Sequence, residues 1–179
     1  IDINSGGTLG GLGQLTGNVN VNNLGTIAPG SSIGTIHITG DLTFKSGSTF
    51  EAEFDSTTTD LIDVTGNVFI ESNTTLSLIP TIAVLHHDTY TIIDANSITG
   101  QFTNVIDPSP TIIPEVMYSA TQVTFRWNIL PFLNVVNGGN PAIVAAYLDS
   151  QNLQQGTDLY YVDTILHDIA TVEDLEAAL

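Results

Sequence analysis

Cysteine is absent from the 179 residues, which removes a disulfide framework, a thiolate zinc site and a cysteine nucleophile together. Basic residues are almost as scarce. Lys45 and Arg126 stand against 19 acidic side chains, for a formal charge of -17 at pH 7. Without cations to replace the counterions of a phosphate backbone, nucleic acid is excluded as a partner, and so is polybasic docking on an anionic bilayer. No stretch approaches the roughly 18 apolar residues that a membrane-spanning helix needs, so direct membrane insertion is not expected. Residues 1–30 also lack a basic segment followed by an apolar one, so the opening does not read as a signal peptide, and the chain reads as cut from something longer.

What is present suffices for a folded domain. The composition is 42% hydrophobic, with a mean hydropathy of +0.23, too apolar for intrinsic disorder. The length fits a single domain with a sizeable core.

An ungapped internal repeat runs through LTGNVNVNNLGTI at 15–27, ITGDLTFKSGSTF at 38–50 and VTGNVFIESNTTL at 64–76. Thr16, Thr39 and Thr65 align, as do Gly17, Gly40 and Gly66, and then Asn18, Asp41 and Asn67. After this shared turn come Val19, Leu42 and Val68, and at the next position but one Val21, Phe44 and Ile70. That alternation places one strand face inward. A unit of about 23 residues with β-branched strands, Gly/Asn/Ser corners and no helical period predicts a β-solenoid whose coils stack at the spacing of a sheet. A β-sandwich of similar hairpins is the rival, and the ungapped alignment favours the solenoid.

Beyond residue 81 the repeat decays while strand signals continue in TIAVL (81–85), YTIID (90–94), TGQF (99–102) and QVTFRW (122–127). These are read as further, less regular coils, giving about five or six in all. Pro108, Pro110 and Pro114 mark a corner or an edge, because proline cannot donate to a central ladder. After Pro131 the pattern turns helical. Asn140-Pro141 is read as a helix start, with Ile143, Val144, Tyr147 and Leu148 on one face. A second helix is expected over 158–169, and a third from Thr171, which forms a capping-box pair with Asp174. The tail's acids, Asp149, Asp158, Asp163, Asp168, Glu173, Asp174 and Glu176, are expected on solvated faces.

Several motifs invite a chemical reading and lose it to context. Gly30-Ser31-Ser32-Ile33-Gly34 matches the G-x-S-x-G elbow, which requires a helix after the serine; a strand at Ile36-His37-Ile38 follows instead, so Ser32 is read as a turn residue. His86-His87-Asp88 is read as a loop tip, since adjacent strand residues point to opposite faces and do not chelate. Asp60 and Asp63 are a candidate carboxylate pair of the kind some solenoid enzymes use on polysaccharides. An acidic substrate, however, calls for more cations than Lys45 and Arg126. Gly10-Gly11-Leu12-Gly13-Gln14-Leu15 lacks the aspartate of calcium-binding β-rolls, and Gly11, Gly13 and Gly17 are not spaced as a dinucleotide loop. Tyr160-Tyr161, Trp127 and Phe132 are read as shielding the core rather than as a recognition patch. No catalytic, cofactor-binding or metal-ligating residue is assigned.

The stretch Gly25 to Ile36 (GTIAPGSSIGTI), with Thr39-Gly40-Asp41-Leu42, resembles the passenger-associated repeat of bacterial autotransporters, the type V secretion proteins. Asp60 to Gly66 (DLIDVTG), Tyr90 to Ala95 (YTIIDA) and Ile98 to Phe102 (ITGQF) are similar to its succeeding elements, and Asn140 to Asp149 to the helical segment that precedes the translocator barrel. The resemblance implies an all-β fold: a right-handed parallel β-helix over residues 1–135, followed by a short helical appendage over 136–179 leading toward a barrel outside this sequence. It further implies a non-enzymatic passenger stem at the bacterial surface, tethered at the outer membrane. Such a stem is often an autochaperone, with its own upstream coils and its own barrel as partners. The absence of cysteine suits passage through an oxidising periplasm, and the net negative charge discourages aggregation on the way. A surface adhesin segment binding a host receptor or glycan, and a polysaccharide-cleaving enzyme, are the rival functions on the same fold.

Overall fold

The computed structural model describes residues 1–81, 89–106, 110–151, 166, 169 and 171–179. The expected strand at 81–85 beyond Thr81, His86-His87-Asp88, Pro108, Tyr160-Tyr161 and most of the expected 158–169 helix lie outside them. The strands are β1 (Asp2–Ile3), β2 (Thr8–Gly11), β3 (Gly13–Thr16), β4 (Val19–Val21), β5 (Thr26–Pro29), β6 (Thr35–Thr39) and β7 (Leu42–Phe44). They continue as β8 (Thr49–Phe54), β9 (Leu61–Ile70), β10 (Thr75–Pro80), β11 (Tyr90–Gly100), β12 (Asn104–Ile106), β13 (Ile112–Tyr118) and β14 (Gln122–Ile129).

They stack as a parallel β-solenoid with three columns. The first runs β1, β4, β7, then the second halves of β9 and β11. The second runs β2, β5, β8, β10, β12, and the third β3, β6, then the first halves of β9 and β11. Three turns, beginning at β4, β7 and the second half of β9, have neighbours on both sides. The first turn (β1 to β3) is an edge, and the fifth has only two strands among the described residues. Turns widen along the chain: Asn20 faces Asp2, Leu42 faces Val19, Val68 faces Leu42 and Ile98 faces Val68.

Alternation fills the interior with in-register ladders, among them Ile27, Phe50 and Leu76, and Ile3, Val21, Phe44 and Ile70, all buried. The Thr-Gly-Asn/Asp corner stacks as its sequence alignment requires. A Cβ on Gly40 (φ 145) would lie 2.7 Å from the Gly17 carbonyl, and one on Gly66 would lie 2.4 Å from the Gly40 oxygen. Close backbone approach, with positive φ at Gly17 and Gly40, reserves this column for glycine.

The expectation of continued coils beyond residue 81 holds for β11 and β12, which stack parallel on β9 and β10, and is corrected at QVTFRW by the last two strands. β13 and β14 form an antiparallel hairpin, and β14 lies antiparallel on the first half of β11, with Tyr90 facing Phe125 and Asp94 facing Gln122. The turn of the hairpin covers the second half of β11, where Ala95 and Ile98 N–H donate to the Thr121 and Ala120 carbonyls. Pro114 sits in β13, the outermost strand, where a missing donor costs no ladder bond. Aromatic rings fill the core beneath the hairpin: Phe54 to Trp127 at 4.3 Å, Phe125 to Trp127 at 4.6 Å and Tyr90 to Phe125 at 5.2 Å between centroids.

The helical tail has its own small core of Phe132, Val136, Ala145, Leu148, Leu166 and Leu175. Helix α1 (Gly139–Asp149) begins earlier than the Asn-Pro signal indicates, with Gly138 as its cap. Its buried residues are Ala145 and Leu148, while Ile143 and Tyr147 are exposed. Helix α2 (Val172–Ala178) begins as expected, with the Thr171 hydroxyl accepting from the Asp174 N–H.

Candidate functional site

The widening of the turns is concentrated at the corner between the second and third columns. Leu12 alone links β2 to β3, residues 30–34 link β5 to β6, and residues 55–60 link β8 to β9. Ser32 lies in the second of these loops, exposed and followed by strand rather than helix. Between the loops and the outer face of β8 is a cleft of about 250 Å³ lined by Ser31, Ser32, Glu51, Glu53 and Asp60 among others.

Asp60 sits in the wall of this cleft at 1% exposure. Its two carboxylate oxygens accept from Gly34 N–H at 2.7 Å and Glu53 N–H at 2.8 Å. Burial pushes its carboxyl up from 3.8 to about 6 against these two hydrogen bonds, with a smaller push from the Glu53 charge. With each oxygen already accepting a backbone N–H and almost no exposed surface, Asp60 staples the corner of one turn to the next.

Asp60 and Asp63, neighbours in sequence, are separated by the fold. Asp63 lies on the outer face of the third column, 2.8 Å from His37 Nδ1 and in register with Asp94. Sequence reading missed His37 and Asp94 because both are distant in the chain, and only the register between turns brings them beside Asp63. Trp127 and Phe132 are buried and form no surface patch. Both basic residues are paired, Lys45 with Glu71 at 2.8 Å and Arg126 with Glu115 at 2.7 Å. Among the described residues, no three His, Asp or Glu side chains are grouped to hold a metal.

The remaining feature is the first turn. Among the described residues, β1, β2 and β3 each pair on one side only, with β4, β5 and β6. Side-chain amides stitch this turn to the next: Asn20 Nδ2 donates to Asp2 Oδ1 at 2.8 Å and Asn22 Nδ2 to Asn4 Oδ1 at 3.0 Å. The corner after them is a stack of left-handed residues, Gly6, Leu24, Gly47 and Asn73, each earlier N–H donating to the next carbonyl at 2.7–2.9 Å. A sequence signal for this turn exists in the ungapped match of IDINSGGTL (1–9) to VNVNNLGTI (19–27). No protein-family model matches the chain, and no curated protein does.

Proposed function

We propose that this chain is a structural stem: the C-terminal β-helical part of a surface-displayed autotransporter passenger, whose finished coils template the stacking of upstream ones. Its role is mechanical and no catalytic step is assigned to it. The observation that carries the reading is the difference between the two ends of the solenoid. Among the described residues all three strands of the first turn offer a free backbone edge, and such an edge captures further strands. At the other end an antiparallel hairpin with an outer proline and four packed aromatic rings closes the third column and covers the end of the first.

A solenoid has no inexpensive place to start, because its first coil orders some 20 residues before a neighbour compensates the lost entropy. The aromatic cluster of Phe54, Tyr90, Phe125 and Trp127 concentrates apolar contact beside the hairpin and lowers that first cost. Coils arriving later add to a preformed edge. The resemblance to the passenger-associated repeat supplies the setting: the bacterial surface, with an outer-membrane barrel as the downstream partner.

The test is a surface-display fusion that places this chain between a passenger and an outer-membrane barrel. Deleting β13 and β14 is expected to reduce protease-resistant passenger at the surface while the barrel still inserts. A normally folded passenger above the deletion, or an isolated chain that is unstructured in solution, overturns the reading.

A further inference from the structure

Resting on the stem reading, we infer that the open end is built to receive a parallel coil of about 18 residues that brings a hydrogen-bond donor opposite Asp2, an acceptor opposite Asn4 and a left-handed corner residue opposite Gly6. The amide ladder has a direction. Asn20 and Asn22 of the second turn donate to Asp2 and Asn4 of the first, and further along Asn96 donates to Asn67, again from the later turn to the earlier. The corner stack runs the other way, with the earlier N–H donating to the later carbonyl.

Extending the Asn22-to-Asn4 rung and the corner stack by one turn assigns the Asn4 side-chain amide and the Gly6 carbonyl to the incoming coil, whereas Asp2, a carboxylate with nothing to donate, reverses its rung and takes a donor from that coil. The second carboxylate oxygen of Asp2, the side-chain amide of Asn4 and the carbonyl of Gly6 make no hydrogen bond among the described residues. The backbone repeats the polarity. Asn20 and Asn22 N–H donate to the Ile1 and Ile3 carbonyls, so the equivalent N–H groups of Asp2 and Asn4 point outward. Turn length narrows toward this end and is shortest where Asn20 faces Asp2, and a coil of that same length meets all these groups without a corner insertion. Ile1 stands one turn before Val19, immediately past the position of the Thr-Gly-Asn corner, so a segment joined ahead of Ile1 enters through that corner.

The test adds one coil to the full chain: a copy of residues 1–18 fused ahead of Ile1, with Asp2→Asn in the copy so that an amide faces Asp2, an asparagine faces Asn4 and a glycine faces Gly6. A second version carries leucine at the two facing positions of the copy. Amide hydrogen exchange is read at Asp2 and Asn4 of the original turn, together with the thermal midpoint. The matched coil is expected to slow exchange at both amides by about tenfold or more and to raise the midpoint, with the leucine version protecting less. Equal protection by the two versions overturns the donor and acceptor assignment while the stem reading stands. No protection by either version overturns the stem reading itself.

Discussion

Leu24 holds a left-handed backbone (φ 59) with its side chain 64% exposed. A β-carbon in that region costs about 1–2 kcal/mol, and no burial of the leucine compensates it. Its stack neighbours show what the position prefers, namely Gly6, Gly47 and Asn73. Leu24→Asn is therefore expected to stabilise the protein by about 0.5–1 kcal/mol, read as a higher urea midpoint with an unchanged slope.

Asp60 makes a different kind of strain visible through pH. Its carboxyl titrates near 6 in the folded protein against an ordinary 3.8, so between about 4 and 6 the folded state holds a proton that the unfolded chain has released. Stability contributed by this group is full below 4 and is lost as pH rises through 6. Asp60→Asn is expected to lower stability overall, because its amide turns a donor toward one of the two N–H groups that the carboxylate accepts. It should also flatten the fall in stability between pH 4 and 6, as seen in urea midpoints at pH 4.5 and 7. An unchanged slope would mean that Asp60 is not the source of that pH dependence.

At the scale of elements, the hairpin does what further coils do not. Another parallel turn would leave a further open edge, whereas β14 satisfies the first half of β11 and presents β13, with Pro114 in it, as the new outer strand. Trp127 is 1% exposed and packs on both Phe54 and Phe125, linking the hairpin to the third turn. Trp127→Ala is expected to cost about 3–5 kcal/mol. The loss should first appear as faster hydrogen exchange in β11 and β14, with β4 and β7 less affected, since a solenoid couples mainly neighbouring turns. Uniform acceleration along the chain would mean that the turns unfold as one block. The corners divide the work differently: the Thr-Gly-Asn/Asp column allows close stacking, while the corner between the second and third columns takes up most of the change in turn length, with one-residue shifts elsewhere such as that between Ala95 and Ser97.

For the whole molecule, the repeat by itself determined the stacked-coil architecture. Thr16-Gly17-Asn18, its two copies and the alternating Val, Leu, Phe and Ile that follow state the coil, the inward face and the stacked glycine corner, because a solenoid depends on contacts at a nearly constant sequence offset. The cap of α2 was equally legible, being a local bond between Thr171 and Asp174. Other features depended on tertiary structure. Whether QVTFRW stacks parallel or folds back antiparallel depends on which backbone edge it meets, and its side-chain alternation is the same in both cases. The face of α1 that is buried depends on the partners it packs against, and these left Ile143 in solvent. Asp60 and Asp63 look alike in the sequence, one shortly after the other. Only the corner that Asp60 closes and the sheet face that carries Asp63 make one a buried staple and the other a surface partner of His37. The open first turn was written in residues 1–9 and their match at 19–27, but its free edge is a property of stacking, since a strand's second side is vacant or filled only in relation to its neighbours.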